Sequence, residues 1–445
     1  MNRRASGALA PLVCLCWLAL ATGFGAQAAE SSDPIDLGGQ PLPDGSEGSS
    51  DGTEPIELDP GLWQATLPQY SQYFTYQRRI EGSRVHIGVL GAPQDSDGIG
   101  IKTSVGEGDD ETSCGDQDDS SEFGYPHAVI GAEALVGDED PDSDCRDAET
   151  IRIAVDRGSS SSGSGDLPYV IKVVEEAPAS GEPGEPDDDP GYDVPEPATA
   201  QDVSGSTSFD EAPLLDASGG ATTVKATVTE GTEVLWRVPV SWGEQPVMRV
   251  DIPAAEGADA EALPEYGGGP EVSLHLIDPM RAHYRYVDSS GEDSGTGTYQ
   301  RRQDGEEGGA TLVASGYPVT RANGLTPGDH WISLSVKPPS DADRDPLDVP
   351  VELTVELQGE PDDGPSYNKA VLSQGNDTGP KGYSPAKPFL IADGTFSAVA
   401  SGNPRAADED GDDGWLTGRH VTGLALAAVS VLCLGAGVVR LRARR

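Results

Sequence analysis

The sequence predicts an all-β ectodomain: two antiparallel, jelly-roll-like β-sandwich domains on disordered acidic linkers, followed by one C-terminal transmembrane helix. Three observations carry that expectation. Short runs alternate apolar and polar residues at period two. Clusters of Gly, Pro, Asp and Ser separate the runs. Between the two ends of the chain no amphipathic helical periodicity is present.

The alternating runs are Arg84 to Val89, Thr150 to Val155, Pro168 to Val173, Val234 to Val240, Val247 to Ile252, Val272 to Leu276, Ile332 to Val336 and Val349 to Val355. Alternation sends one set of side chains into a core and the other into water, as an antiparallel sheet with one solvated face requires. On this reading Phe74 and Trp236 are core residues. His275, between Leu274 and Leu276, is a solvent-face strand residue.

Composition sets the boundaries. Residues 1–28 read as a signal peptide and 29–54 as a disordered spacer. Residues 55–177 form the first sandwich, 178–206 a disordered linker and 207–358 the second sandwich. Residues 359–418 are a disordered acidic stalk, 419–440 the transmembrane helix and 441–445 a basic cytoplasmic tail. The two sandwiches read as copies of one unit. Each has an early aromatic strand (Tyr73-Phe74-Thr75-Tyr76; Leu235-Trp236-Arg237-Val238) and then an alternating strand (Arg84 to Val89; Met248 to Ile252). Each closes on a strand, a polar insert and a last strand: Ile151 to Val155 with Tyr169 to Val173, and Ile332 to Val336 with Val351 to Val355.

The ends indicate export and anchoring. Arg3 and Arg4, an apolar run from Leu9 to Leu20 and a small-residue exit at Ala26-Gln27-Ala28 have the order of a signal peptide. The uncharged stretch Val421 to Val439 has the length of a membrane span. Arg440, Arg442, Arg444 and Arg445 follow it, so the C-terminus is expected in the cytoplasm and the ectodomain outside, on a single-pass cell-membrane protein. Gly414-Trp415-Leu416-Thr417-Gly418 stands where a sortase motif would be. It lacks the leading Leu-Pro, which favours a retained anchor.

The formal net charge of −47 excludes nucleic acid and anionic membrane surfaces as partners. Of the five cysteines, Cys14 and Cys16 lie in the signal and Cys433 in the span, which leaves Cys114 and Cys145. An even pair in an oxidising compartment is expected to form a disulfide.

The second block resembles the bacterial pre-peptidase C-terminal domain, a β-sandwich appended to secreted enzymes and surface proteins. The residues that carry the resemblance are Ala212-Pro213-Leu214, the turn and strand Gly231 to Val238, and the late strand Gly328 to Val336, with Trp331 near the family's usual Tyr. Chains of this layout are similar to surface proteins of actinobacteria. The resemblance implies a non-catalytic module with no active site to carry over.

Candidate chemistry is sparse. Asp138, Asp140, Asp142 and Asp144 alternate with Glu149 at the twelfth place, a spacing of oxygens that suits calcium; Asp341, Asp343 and Asp345 with Glu352 repeat it. Both loops lack the Gly that an EF-hand turn needs, so solvated loop charge is the expectation and calcium the alternative. No cofactor is expected. No nucleophile elbow, zinc-binding His-Glu-x-x-His or phosphate loop stands on a strand or helix that could use it, so an enzyme is not expected. Tyr284 and Tyr286, beside Arg281 and Arg285, are either core residues or an exposed partner-binding pair. The sequence thus points to a non-enzymatic surface interaction or scaffolding protein that contacts another envelope or secreted protein. The alternative is a cell-wall carbohydrate-binding module, with or without calcium.

Overall fold

A computed structural model describes residues 35–43, 48–93, 97–121, 128–137, 143–158, 165–179, 184–187, 190–263, 269–283, 295–301, 309–339, 345–362, 364–367 and 390–391. The expected signal peptide and transmembrane helix lie outside them. Among the described residues no helix is long and apolar enough to cross a membrane.

The first block contains β1 (Gln40–Pro41), β2 (Ile56–Leu58), β3 (Gly61–Leu67), β4 (Gln72–Gln77), β5 (Arg84–Gly91), β6 (Gly98–Val105), β7 (Thr112–Ser120), β8 (Ile130–Val136), the short α1 (Asp144–Asp147), β9 (Thr150–Asp156) and β10 (Leu167–Glu176). The second contains β11 (Gln201–Asp202), β12 (Thr222–Thr229), β13 (Glu233–Val240), β14 (Gln245–Pro253), α2 (Gly257–Ala262), β15 (Glu271–Ile277), β16 (Thr296–Thr298), β17 (Gly309–Ser315), β18 (Gly328–Val336) and β19 (Asp348–Gln358). A last strand, β20 (Leu390–Ile391), runs parallel to the end of β10.

Each block pairs its strands into two sheets. In the first the orders are β1-β3-β10-β5-β8 and β2-β4-β9-β6-β7; in the second, β11-β12-β19-β14-β17 and β13-β18-β15-β16. Numbering the main strands from β3 and from β12 gives the same order in both, the order of a jelly roll. The extra edge strands match too, since β1 runs parallel to β3 and β11 parallel to β12. The duplication legible in the sequence therefore holds strand for strand, with β4, β5, β9 and β10 equivalent to β13, β14, β18 and β19.

The inward residues close two cores. In the first, Val85, Ile87 and Val89 of β5 face Phe74 and Tyr76 of β4 and Ile151 and Ile153 of β9. In the second, Met248, Val250 and Ile252 of β14 face Trp236 of β13 and Leu274 and Leu276 of β15. Phe74 and Trp236 are buried, as their alternation predicts. Cys114 of β7 and Cys145 of α1 form a disulfide, with Cα atoms 5.6 Å apart.

Three expectations meet a different structure. The stretch 190–202, read as linker, lies extended on the second sandwich. Pro190 and Pro195 are buried, Asp193 exchanges hydrogen bonds with the Gln358 side chain at 3.0 and 2.6 Å, and Ala198 N–H donates to Thr223 Oγ1 at 2.8 Å. A Pro-rich segment is already extended, so a few such contacts suffice to lay it on a sheet. At the N-terminal side, Leu37 and Leu42, within the expected spacer, are buried as well. The outward residues of β5, expected in water, are also buried: Arg84 and His86 are 1% and 0% exposed. The reason is that the second block covers this end of the sheet, where Arg84 donates to the Arg321 carbonyl at 3.3 Å.

Removing the disulfide by a Cys114→Ala, Cys145→Ala pair releases a constraint across 31 residues. The expected loss is about 2–4 kcal/mol, read as a lower denaturation midpoint that reducing agent reproduces in the unsubstituted chain and does not lower further in the variant.

Candidate functional site

The two sandwiches stack face to face. The outer face of the β3-β10-β5-β8 sheet packs on the outer face of the β13-β18-β15-β16 sheet through Leu62, Leu90, Val170, Leu235, Ile277 and Trp331, all buried, with Phe209 beside them. Strand register prepares the contact. Leu62, Lys172, Gly88 and Glu133 stand side by side in one row across the first sheet. The turn Asp278–His283, at the end of β15, lies along that row. Lys172 Nζ donates to the Pro279 carbonyl. A Cβ on Gly88 would collide with the Met280 carbonyl, and one on Gly131 would stand 2.8 Å from the Arg281 carbonyl oxygen. Glycine is therefore required at both places by close backbone approach.

The turn is built from its own side chains. Asp278 Oδ1 accepts from Ala282 N–H at 2.9 Å, and Arg281 N–H donates to the Asp278 carbonyl at 3.0 Å. Arg281 takes φ of 70°, the one positive φ of a non-glycine among the described residues. This backbone aims its guanidinium between the rings of Phe209 and Trp331, 4.1 Å from each centroid. Trp331 Nε1–H donates to the Phe209 carbonyl at 3.0 Å, which fixes that ring. A desolvated guanidinium between two aromatic faces is a strong cation–π arrangement, worth on the order of 2 kcal/mol per ring.

Around this turn the interface is dense in charge. Glu176, at the end of β10, receives His86 Nε2 at 3.3 Å, Arg84 at 3.4 Å, Arg321 at 3.1 Å and the Tyr367 hydroxyl at 3.2 Å. Burial alone would raise its pKa, but His86 and the two arginines hold it at about 2. Burial would likewise lower His86, yet Glu133, at 2.8 Å from Nδ1, and Glu176 lift it to about 9. Burial, and then Glu133, pushes Asp278 well above the carboxylate range. Glu233 of β13 accepts from Val129 N–H at 2.9 Å and from the Ser333 hydroxyl, but burial dominates and raises it to about 7. His275 stacks on His283 with centroids 4.9 Å apart. It is on the outward face, as its alternation predicts, but half-buried against the His283 ring rather than fully solvated. Burial, with His283 beside it, lowers its pKa to about 3. His283 in turn pairs with Asp119 at 2.9 Å. A cavity of about 380 Å³ opens beside this cluster, lined by Glu133, Asp278, His283, Asp187, Asn323 and Tyr317 among others.

The first sandwich keeps a second concave surface. The outer face of its β4-β9-β6-β7 sheet forms a groove of about 680 Å³. Register sets Tyr73, Ala154, Lys102 and Asp116 in one row across its floor. Residues of the loop before β2, including Gly52 and Pro55, line one side, and Gly108 and Glu111 line the other. Arg152 braces both sides: its guanidinium donates to the Gly52 carbonyl at 2.6 Å and meets Glu107 at 3.5 Å. Lys102 pairs with Asp156 at 2.7 Å, and Ser104 donates to Glu111 at 2.6 Å.

The residues singled out in the sequence fall elsewhere. Asp138, Asp140, Asp142, Asp341, Asp343, Tyr284 and Tyr286 lie outside the described residues. Asp144 opens the disulfide-bonded α1 and Glu149 follows it, and both are exposed. Glu352 pairs with Lys225 at 2.9 Å across the outer face of β19 and β12, as a strand residue. Among the described residues no three His, Cys, Asp or Glu side chains are grouped to hold a metal. Sequence reasoning missed the interface. Its signal was present in the places where alternation breaks into apolar pairs, Val173-Val174, Leu276-Ile277 and Trp331-Ile332, because strands covered on both faces read that way.

No family model matches the chain, and no curated protein matches it. Among solved structures the chain is similar to a periplasmic inhibitor of g-type lysozyme from Aeromonas hydrophila, with 12% identity, 33% of this chain and 97% of that one covered, and a TM-score of 0.16. It is similar to tripeptidyl peptidase 2 at 9% identity and TM-score 0.19, over 73% of this chain and 26% of the peptidase, so the chain spans about a quarter of that protein. It is also similar to the ANX2 ectodomain of Arabidopsis thaliana at 9% identity and TM-score 0.21, over 69% and 86% of the two chains. Likenesses at these scores carry no argument about function.

Two predictions test the interface. Gly88→Ala forces a side chain against the Met280 backbone and is expected to cost about 3 kcal/mol or more, the upper end for overpacking. Chemical denaturation should then resolve two transitions, one per sandwich, where the unsubstituted tandem shows one. The second concerns pH. Glu233 has an ordinary value of 4.5 and sits near 7 in the folded chain. Between these values the folded state keeps a proton the unfolded state has lost, so its contribution falls as pH rises through that window, by on the order of 3 kcal/mol. His86, raised from 6.5 to about 9, contributes fully below 6.5 and is lost as pH climbs through 9. His275 and His330, lowered to about 3 and 4, act oppositely and erode stability as pH falls below 6.5. Glu233→Gln isolates the first effect: the variant should gain stability relative to the parent between pH 5 and pH 8, in denaturation series at both values. An equal change in both proteins would show that Glu233 does not titrate in this window.

Proposed function

We propose that this chain is a non-enzymatic binding protein, displayed outside the cell membrane on its C-terminal anchor, and that the groove on the β4-β9-β6-β7 sheet is its recognition face. One observation carries the reading. The equivalent sheet of the second copy uses the same outer face as a docking surface, with Leu235 and Trp331 buried against the first sandwich. In the first copy that face is walled by loops and bears Tyr73, Lys102, Arg152 and Asp116 instead. Duplication supplied one interaction face twice. One became an internal joint, and the other is free for a partner.

Binding is better supported than catalysis, because Glu176, His86 and Glu233 at the joint are already held by ion-pair or hydrogen-bond partners, while Lys102, Arg152 and Glu111 of the groove are paired within or beside it. An apolar protein-docking patch has less support. Among the described residues the exposed large hydrophobic side chains are Tyr70, Val194 and Leu214, which come from three separate segments. The anchor and export signal supply the location, and the paired cysteines suit it.

The test is sedimentation of the purified chain with cell-envelope fractions. Lys102→Ala and Asp116→Ala, both on the groove floor, should reduce the bound fraction at least fivefold, whereas Lys225→Ala, on the opposite outer face, should not. If all three variants sediment like the parent, the groove is not the recognition face.

A further inference from the structure

We infer that the groove of the first sandwich takes a neutral, hydroxyl-rich chain: a polysaccharide without acidic substituents, lying across the row Tyr73–Ala154–Lys102–Asp116. This rests on the groove being the recognition face and adds the chemistry of its occupant.

The first step is charge. The lining holds Asp116, Asp156 and Glu111 against Lys102 and Arg152. These charges are largely satisfied internally, Lys102 by Asp156, Arg152 by Glu107 and the Gly52 carbonyl, and Glu111 by the Ser104 hydroxyl. A polyanion would meet three carboxylates and the field of a chain with net charge −47. A polycation would have to displace Lys102 and Arg152 from their partners. A hydroxyl both donates and accepts, so it can join each pair without breaking it.

Unused hydrogen-bonding capacity is the second step. The Lys102 side chain is 52% exposed, and an ammonium has three donors. Asp116 is exposed beside it in the row. Cation and carboxylate therefore present a donor and an acceptor at adjacent places, which matches neighbouring hydroxyls of a sugar ring.

The third step is shape. Ala154 separates Tyr73 from Lys102 on the floor, so the half-buried Tyr73 ring borders a methyl-lined depression. That strip suits the C–H face of a sugar, with its hydroxyls turned to the charged half of the row. A volume of about 680 Å³ is within the range of small-ligand sites and lies between fixed walls, because Arg152 ties the loop before β2 to the sheet.

Affinity electrophoresis of the purified chain through gels containing dextran, mannan, β-glucan or xyloglucan, with alginate and polygalacturonate as acidic probes, tests the inference. At least one neutral polymer should retard the chain, and neither acidic polymer should. Lys102→Ala and Asp116→Ala should each weaken retardation at least tenfold, while Lys225→Ala leaves it unchanged. Both substituted groove residues are exposed, so an unchanged melting curve certifies the fold. Absence of retardation by every neutral polymer, retardation by acidic polymers, or retardation that survives both groove substitutions overturns the proposal. If those substitutions abolish envelope binding while no neutral polymer retards the chain, the groove remains the recognition face and its occupant is of another chemistry.

Discussion

The outer face of the β3-β10-β5-β8 sheet cannot be left in water, and the rest of the molecule is arranged around that constraint. Strand β10 sends Val170, Lys172, Val174 and Glu176 to this face, and all four are buried. The apolar pair gains by being covered. The polar pair needs partners under the cover, since an unpaired buried charge costs several kcal/mol, and Glu176 has His86 and Arg84 on its own sheet. The second sandwich adds the Pro279 carbonyl for Lys172 and Arg321 for Glu176. The two sandwiches are therefore packed on one another, and the 190–202 stretch between them is laid over the second sandwich rather than left as a hinge.

The same constraint explains the choice of residues at the joint. Gly88 and Gly131 leave room where the backbone of the Asp278–His283 turn approaches. Arg281 accepts a left-handed backbone because its guanidinium is then held between Phe209 and Trp331. Such a conformation costs on the order of 1 kcal/mol or more and persists only where the surroundings determine it. Here they do, through the ring of Trp331 tied to Phe209 and the Asp278 side chain tied to Ala282.

Much of the architecture was legible in the sequence. Strands, the disulfide and the order shared by the two copies follow from alternation, cysteine count and turn residues, because each is a local pattern. What alternation cannot tell is whether a polar outward residue meets water or another sheet. Arg84, His86 and His275 have the letters of a solvated face, yet at the joint the first two are buried and the third is half-buried, with carboxylates or a stacked ring standing in for water. Composition misled in a related way at 190–202. Few apolar residues usually mean no core, but Pro190 and Pro195 need no core of their own when a finished sheet is already there to receive them. The groove was invisible for a different reason, since Tyr73, Arg152 and Lys102 come from three strands and converge only through register.

Head-to-tail packing of two like units raises a final question, which is why it stops at two. The joint is heterologous: one face of the first copy meets the other face of the second, so each end of the stack still carries the face that could accept another copy, and such contacts propagate into filaments. The free faces differ from the joint in the property that would permit this. On the second copy the outer face carries Lys225 paired with Glu352 and Arg249 paired with Asp251, and is crossed by the 190–202 segment. On the first it carries Lys102, Asp156 and Arg152 between loop walls. Among the described residues neither offers a buried apolar anchor like Trp331. Charge on an exposed sheet face is a recurrent device against sheet-to-sheet association. The residues that keep the first copy's free face from packing are the same ones that make it a polar groove, so ending the stack and shaping the face proposed for recognition rest on one set of side chains.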